Sequence, residues 1–505
     1  MKTQVRTMYL LGYDIGSSSI KAALVNSETG ETVQVVQYPE TEMDIISVQN
    51  GWAEQEPETW WTNLCIATKE LLQKSGINPQ EIKSIGIAYQ MHGLILVDKD
   101  QNVLRPSIIW CDSRAVDIGN EAFEMIGKKK CLNHLLNSPG NFTASKLKWV
   151  KENEPEIYQR IDKFMLPGDY IAMKLTGEIS TTITGLSEGM FWDFKNNKIA
   201  DFLLEHYGIS NELIPEIVDT FSIQGKVTQA AANETGLRSG IAVAYRAGDQ
   251  PNNALSLGAF NPNEVAATGG TSGVVYGIVD KPIYDNRSRI NGFAHVNHSI
   301  QNPRLGLLLC INGAGIQYSW LKKQMADSET SYIDMERMAS NIPIGADGLR
   351  ILPFGNGSER MLSNSNPGAQ INNLQFNKHT RAHFYRAGLE GIAFAFVHGF
   401  QVLKDLGMDA KVIKVGNDNL FQSKIFSMTI ANLLGVNVEL IKTTGAAGAA
   451  KASGIGVGVY CNLEEAIKTN EIEHIYKPES SNEEFRKAYD IWELDLTRLL
   501  SNHLL

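Results

Sequence analysis

Asp14 ends an apolar run and opens the turn of LGYDIGSSSIKAALV, residues 11–25. A carboxylate delivered by a buried strand needs a partner, because an unpaired buried charge is costly. Gly16 lets a ligand approach the backbone, and Ser17, Ser18 and Ser19 offer hydroxyls and N–H groups to oxyanions. An aspartate here suits Mg²⁺ held through water, since that ion sheds its waters reluctantly. The plain alternative is a tight turn, which also favours aspartate and glycine.

Three further stretches carry chemistry. Gly269-Gly270-Thr271-Ser272-Gly273 follows a second apolar strand and has the make-up of an anion nest, although a simple hairpin turn would also use it. No Gly-x-x-x-x-Gly-Lys-[Ser/Thr] occurs, so the chain has no P-loop. AGDQPNNAL, residues 247–255, reads as a helix start, with Asp249 as cap and Pro251 in the first turn. The same aspartate falls between the two phosphate-type turns. There it can accept the proton of an attacking hydroxyl, for which a weak base suffices in phosphoryl transfer. Gln90-Met91-His92-Gly93 and Trp110-Cys111-Asp112-Ser113-Arg114 each end a strand. Together they supply donors and acceptors on the rim of an apolar wall, as polyol recognition requires; a lone turn histidine is otherwise structural.

Other spacings imitate sites. His379 and His383 have metal-like spacing but lack the glutamate of His-Glu-x-x-His, so a solvated helix face is expected. Gly454-Ile-Gly-Val-Gly458 ends a small-residue helix instead of following a strand, unlike a dinucleotide loop. The preceding GAAGAAKASG suits a helix packed closely on a neighbour.

These residues must be positioned by alternating strands and helices. The spacing predicts strand, turn and strand over 84–97, and helices over 56–72, 146–158 and 169–175. Such alternation implies an α/β fold. EVAATGGTSGVVYGIV, residues 264–279, repeats the strand–turn–strand plan of residues 11–25, a weak internal repeat at domain scale. The 505 residues exceed one ordinary core, so two domains are expected, 1–250 and 251–505, hinged near 249–261. The net charge of −10 argues against nucleic-acid or anionic-membrane partners, and glycine loops can bind phosphate without basic residues. Five scattered cysteines without Cys-x-x-Cys fit a reducing cytoplasm. Lys2 and Arg6 before an apolar patch imitate a leader, but Asp14 interrupts the patch and no cleavage site follows. No long uncharged apolar run offers a membrane span.

In order along the chain, DIGSSSIK, WAEQEPETWW, QMHGLILVD, LRPSIIWCDSR, AGDQPNNALSLG, ATGGTSG, GAGIQYSWL and GAAGAAKASGIGVGVY resemble the FGGY family of sugar kinases. The resemblance spans nearly the whole chain. It implies two actin/hexokinase-like (ribonuclease H-like) domains with the active cleft between them. It also implies Asp249 as catalytic base and Asp14 as the aspartate of the first phosphate motif. Ser17, Ser18, Ser19 and Thr271 would contact phosphate, and Gly313, Gln317, Gly416 and Asn419 would lie on the nucleotide side. Met91 and His92 are similar to the sugar contacts of the xylulokinase branch, with Gln250 beside the base. The implied reaction is ATP- and Mg²⁺-dependent phosphorylation of the terminal hydroxyl of D-xylulose, with a homodimer possible by analogy. Other members act on ribulose, gluconate, fuculose or glycerol. An actin-like ATPase and a non-catalytic sugar sensor are the readings from other classes. One departure stands out: residues 415–423, VGNDNLFQS, replace the family's glycine-rich adenosine loop.

Overall fold

The structure, a computed structural model, describes residues 7–503; Lys2 and Arg6 lie outside them. Two large sheets organise the chain. The first contains β1 (Tyr9–Ile15), β2 (Ile20–Asn26), β3 (Thr32–Tyr38), β4 (Ile82–Tyr89) and β5 (Ala242–Gly248), in the order β5-β4-β1-β2-β3. β4 and β5 are buried nearly throughout, as strands covered on both faces must be. β1, β4 and β5 run parallel, with Ile15 opposite Tyr89 and Tyr89 opposite Gly248. Three strands therefore release their chains at one edge.

The second sheet contains β6 (Glu264–Gly269), β7 (Gly273–Val279), β8 (Asn291–Ala294), β9 (Leu305–Ile311), β10 (Val412–Gly416), β11 (Asn437–Lys442) and β12 (Glu471–Tyr476). Its order is β8-β9-β7-β6-β10-β11-β12. The inner run β9-β7-β6-β10-β11 repeats the first sheet: an antiparallel hairpin, a third antiparallel strand, then two parallel strands. The repeat expected from the two hairpin sequences is thus one of topology.

The helices used below are α1 (Pro57–Ser75), α2 (Thr143–Asn153), α3 (Pro167–Thr176), α4 (Ile183–Glu188), α5 (Asp249–Ser256), α6 (Gly315–Met325), α7 (Tyr332–Ser340), α8 (Arg381–Asp405), α9 (Lys424–Leu434) and α10 (Gly445–Gly456). The single helix expected over 146–158 is interrupted. α2 stops at Asn153 and a short turn of helix restarts at Pro155, whose ring forces Glu154 out of helical geometry (φ −131°). Asp249 is the first residue of α5 and not its cap, a place taken by Gly248. Among the described residues, no helix is long and apolar enough to cross a membrane, and the five cysteines are free.

α10 follows β11 of the second sheet in sequence, yet it lies on the first. A Cβ built on Gly12 of β1 would stand 1.9 Å from Ala446 O, and one on Gly86 of β4 would stand 1.9 Å from Ala449 O. A Cβ on Gly448 would meet the Ser256 hydroxyl at 1.7 Å. Helix backbone therefore rests on strand backbone, which explains the run of small residues. Gly12→Val should cost about 3 kcal/mol or more, because backbone and not a movable side chain blocks it. Chemical denaturation would check this; unchanged stability would contradict the contact.

Candidate active site

The common edge of β1, β4 and β5 gathers three of the sequence-predicted stretches. After β1 comes the turn Gly16–Ser19, closed by Gly16 N–H on Ser19 O at 3.1 Å. Ser18 is exposed, Ser17 half-buried and Ser19 buried. Trp110, 53% exposed, places its indole N–H 3.4 Å from the Ser17 hydroxyl. After β4 comes Gln90-Met91-His92-Gly93, and after β5 comes Asp249. Asp14 and Asp249 stand two interstrand spacings apart, roughly 10 Å between backbones.

Electrostatics link these groups. Burial raises the Asp14 carboxyl above its usual range, with Lys21 opposing. Burial and then the Asp14 charge push Asp249 up to about 7, against donation from Gln250. A Cβ on Gly445 would lie 2.7 Å from Asp14 Oδ2, so Asp14 sits at the N-terminal end of α10, a favourable place for a carboxylate. Asn252 ties α5 to the same point by donating to Gly445 O at 2.9 Å.

Met91 is buried against Gly248, where an added Cβ would meet its Cγ at 2.6 Å. His92 adopts the left-handed conformation (φ 63°), unusual for a bulky residue and a mark of local constraint. Its N–H donates to Glu188 Oε2 at 2.9 Å, and its Nδ1 lies 3.1 Å from Glu188 O. Lys146 of α2 donates to His92 O and Ile109 O, both at 2.9 Å. Burial, then the Lys146 charge, lowers His92 to about 3, so the imidazole is neutral. Glu188 and Lys146 were missed in the sequence because they lie in unremarkable helical stretches 96 and 54 residues from their partner.

Two expected rim residues are not on the rim. Asp112 is fully buried, accepting from Ala53 N at 2.6 Å and pairing with Arg114 at 2.7 Å. Arg114 also pairs with Glu54 at 2.6 Å and stacks 3.8 Å from the Trp52 ring. These groups are spent on one another and bracket the wall from behind.

On the second sheet, Gly269, Gly270, Thr271 and Asn419 line a cavity of about 820 Å³ with α6 and α7. Tyr318, Gln422 and Ser423, which fall within stretches noted in the sequence but were not themselves singled out, also line it, as do Tyr332 and Glu336, which carried no sequence signal. The Gly270–Thr271 turn accepts from Gly315 N and Ile316 N, each at 3.0 Å. Gly313 does not line the cavity. Its N–H donates to Glu359 at 3.0 Å, and a side chain there would strike Pro353 O at 1.7 Å. Gln317 is buried against Gly388 of α8, behind the same wall. Gly416 ends β10 and packs against Asp418, also outside the lining. His379 and His383 do not form a solvated face. Both are buried, His379 precedes α8, and the His383 ring caps that helix by accepting from Thr380 N at 3.1 Å.

Two similar sheets, one ending in two carboxylates and the other bordering a hydroxyl-lined cavity, form a fold of the actin/hexokinase type. Residues 9–256 match the N-terminal domain of the FGGY family of carbohydrate kinases, and residues 265–456 match its C-terminal domain. The chain belongs to that family. It is therefore a phosphotransferase acting on an alcohol group of a carbohydrate, with ATP as co-substrate. It is similar to xylulose kinase of Bacillus subtilis, with 28% identity over 96% of both proteins. It is also similar to the L-xylulose/3-keto-L-gulonate kinase of Escherichia coli, with 29% identity over 91% of the chain and 90% of that protein. Among solved structures, xylulose kinase of Rhodospirillum rubrum superposes with a TM-score of 0.87 at 26% identity, covering 98% of this chain and all of that one.

A carboxyl raised by folding lowers stability above its folded pKa, and the cost disappears below the unfolded pKa. For Asp249 the window runs from about 7 down to 3.8. Asp249→Asn should therefore be more stable than wild type at pH 8, by the order of ~3 kcal/mol, with the margin shrinking as pH falls toward 5. Thermal unfolding across that range checks it; a variant less stable at pH 8 would contradict the burial of the charge.

Proposed function

We propose that the protein transfers the γ-phosphoryl group of ATP to the terminal hydroxyl of D-xylulose, giving D-xylulose 5-phosphate. One observation carries this reading: the Met91–His92 turn lies directly against Gly248, so a sugar bound on that turn presents its end to Asp249. Residues 1–250 would supply the sugar side and first phosphate turn, and residues 251–505 the nucleotide side.

Each group then has a physical task. Asp249 orients the hydroxyl and takes its proton; its pKa near 7 keeps an appreciable ionised fraction at neutral pH. Gln250 donates to Asp249 and holds its carboxyl. Neutral His92 and the apolar flank of Met91 fix the sugar chain. Ser17, Ser18, Ser19 and Thr271 offer hydroxyls and N–H groups to the transferring phosphoryl group from opposite walls, where fixed donors stabilise developing charge. Asn419 reaches the cavity from the loop that departs from the glycine-rich pattern.

Mg²⁺ fits the site. The charge of Asp14 raises Asp249, so a cation beside Asp14 would relieve both the burial and the repulsion. Asp14 would hold the ion through water, as suits Mg²⁺ arriving with a nucleotide, and the ion would neutralise phosphate charge.

ADP release measured with D-xylulose, L-xylulose, ribulose, gluconate and glycerol tests the assignment. D-xylulose should give the highest kcat/KM by at least about tenfold, a margin worth ~1.4 kcal/mol. Preference for another sugar would overturn the substrate. Asp249→Ala should lose at least about a thousandfold in kcat while still binding ATP; near-normal turnover would remove Asp249 as base.

A further inference from the structure

We propose that Glu188 is a specificity-determining positioning residue: it holds the Nδ1 side of His92, so that Nε2 is an acceptor and the site selects a sugar hydroxyl able to donate to it. The inference rests on His92 being a sugar contact. Glu188 ends α4 and its side chain is 2% exposed. Its backbone carbonyl lies 3.1 Å from His92 Nδ1. A carbonyl oxygen only accepts, so Nδ1 carries the hydrogen and Nε2 keeps its lone pair.

The carboxyl supplies a second hold. Oε2 accepts the His92 N–H at 2.9 Å and lies 3.3 Å from Nδ1. That bond supports a backbone conformation which His92 would not adopt unaided. Phe142 and Phe293 flank the ring, with centroids 4.8 and 5.3 Å away, and limit its rotation. Lys146 fixes the carbonyl of the same residue. Glu188 also reaches the acceptor side, because a Cβ on Gly248 would stand 3.5 Å from Oε1. The carboxyl therefore packs beneath both the sugar turn and the start of α5.

Replacement of Glu188 should act on the sugar and not on ATP. Glu188→Leu should raise KM for D-xylulose at least about tenfold and leave KM for ATP within about twofold. It should also lose part of the discrimination between D-xylulose and one of its monodeoxy analogues that His92→Leu removes in full, because the backbone carbonyl of residue 188 still faces Nδ1 while the carboxyl that holds the turn is gone. The double variant should be no worse than His92→Leu alone, since both remove one interaction. Glu188→Gln keeps an acceptor for the His92 N–H and should recover most of the loss. Undiminished discrimination in Glu188→Leu, or losses that multiply in the double variant, would overturn the proposal. Should the wild type prefer another sugar, that sugar's analogues replace those of D-xylulose; the substrate assignment then falls alone. Histidine ¹⁵N NMR of the wild type reads the tautomer without any turnover or variant. His92 should carry its proton on Nδ1, and a proton on Nε2 would overturn the proposal.

Discussion

Two largely desolvated carboxylates on one sheet edge, the half-buried Asp14 and Asp249, are the constraint on which the molecule is built. Among the described residues, neither is paired with a cation in direct contact. Burial raises both, and the charge of Asp14 raises Asp249 further. Such an arrangement costs stability and persists only where the surroundings over-determine it. Here three parallel strands end in register and hold the two aspartates, each only partly exposed, at one edge. The same arrangement leaves the edge short of positive charge, which a metal-bound nucleotide would bring.

The support beneath that edge comes from the second half of the chain. α10 lays its backbone on Gly12 and Gly86 and brings its N-terminal end to Asp14. α5 carries Asp249 in its first turn and is tied to α10 through Asn252. The two aspartates are thus fastened through two helices that meet at that edge. Small residues in α10 are required by that contact, since a Cβ at Gly448 would strike Ser256 and one at Gly445 would strike Asp14.

Sequence reading worked where structure is local. The two hairpin turns were legible because strand, glycine and hydroxyls are contiguous, and their likeness revealed a topological repeat between the sheets. Asp249 was legible as a helix-opening carboxylate, although Gly248 holds the cap position. Reading failed where a residue's partner is distant. Asp112 and Arg114 looked like a polar rim, but Glu54, Trp52 and Ala53 consume their bonding capacity. His379 and His383 looked solvated, but Asp347 and the start of α8 bury them. Gly313 matched a nucleotide position by pattern, while its glycine is demanded by Pro353. Glu188 gave no signal, since nothing in GLSEGM announces a histidine 96 residues earlier.

The most direct test of the coupled carboxylates is the pH dependence of kcat/KM for the sugar, with Mg²⁺ in excess. The account predicts an acid limb above the ordinary carboxylate range, where Asp249, raised by burial, becomes protonated and turnover falls about tenfold per pH unit. In Asp14→Asn the residual activity should show that limb displaced to lower pH, because the charge that raises Asp249 is gone. A profile flat to pH 5, or a limb unmoved in Asp14→Asn, would contradict the account.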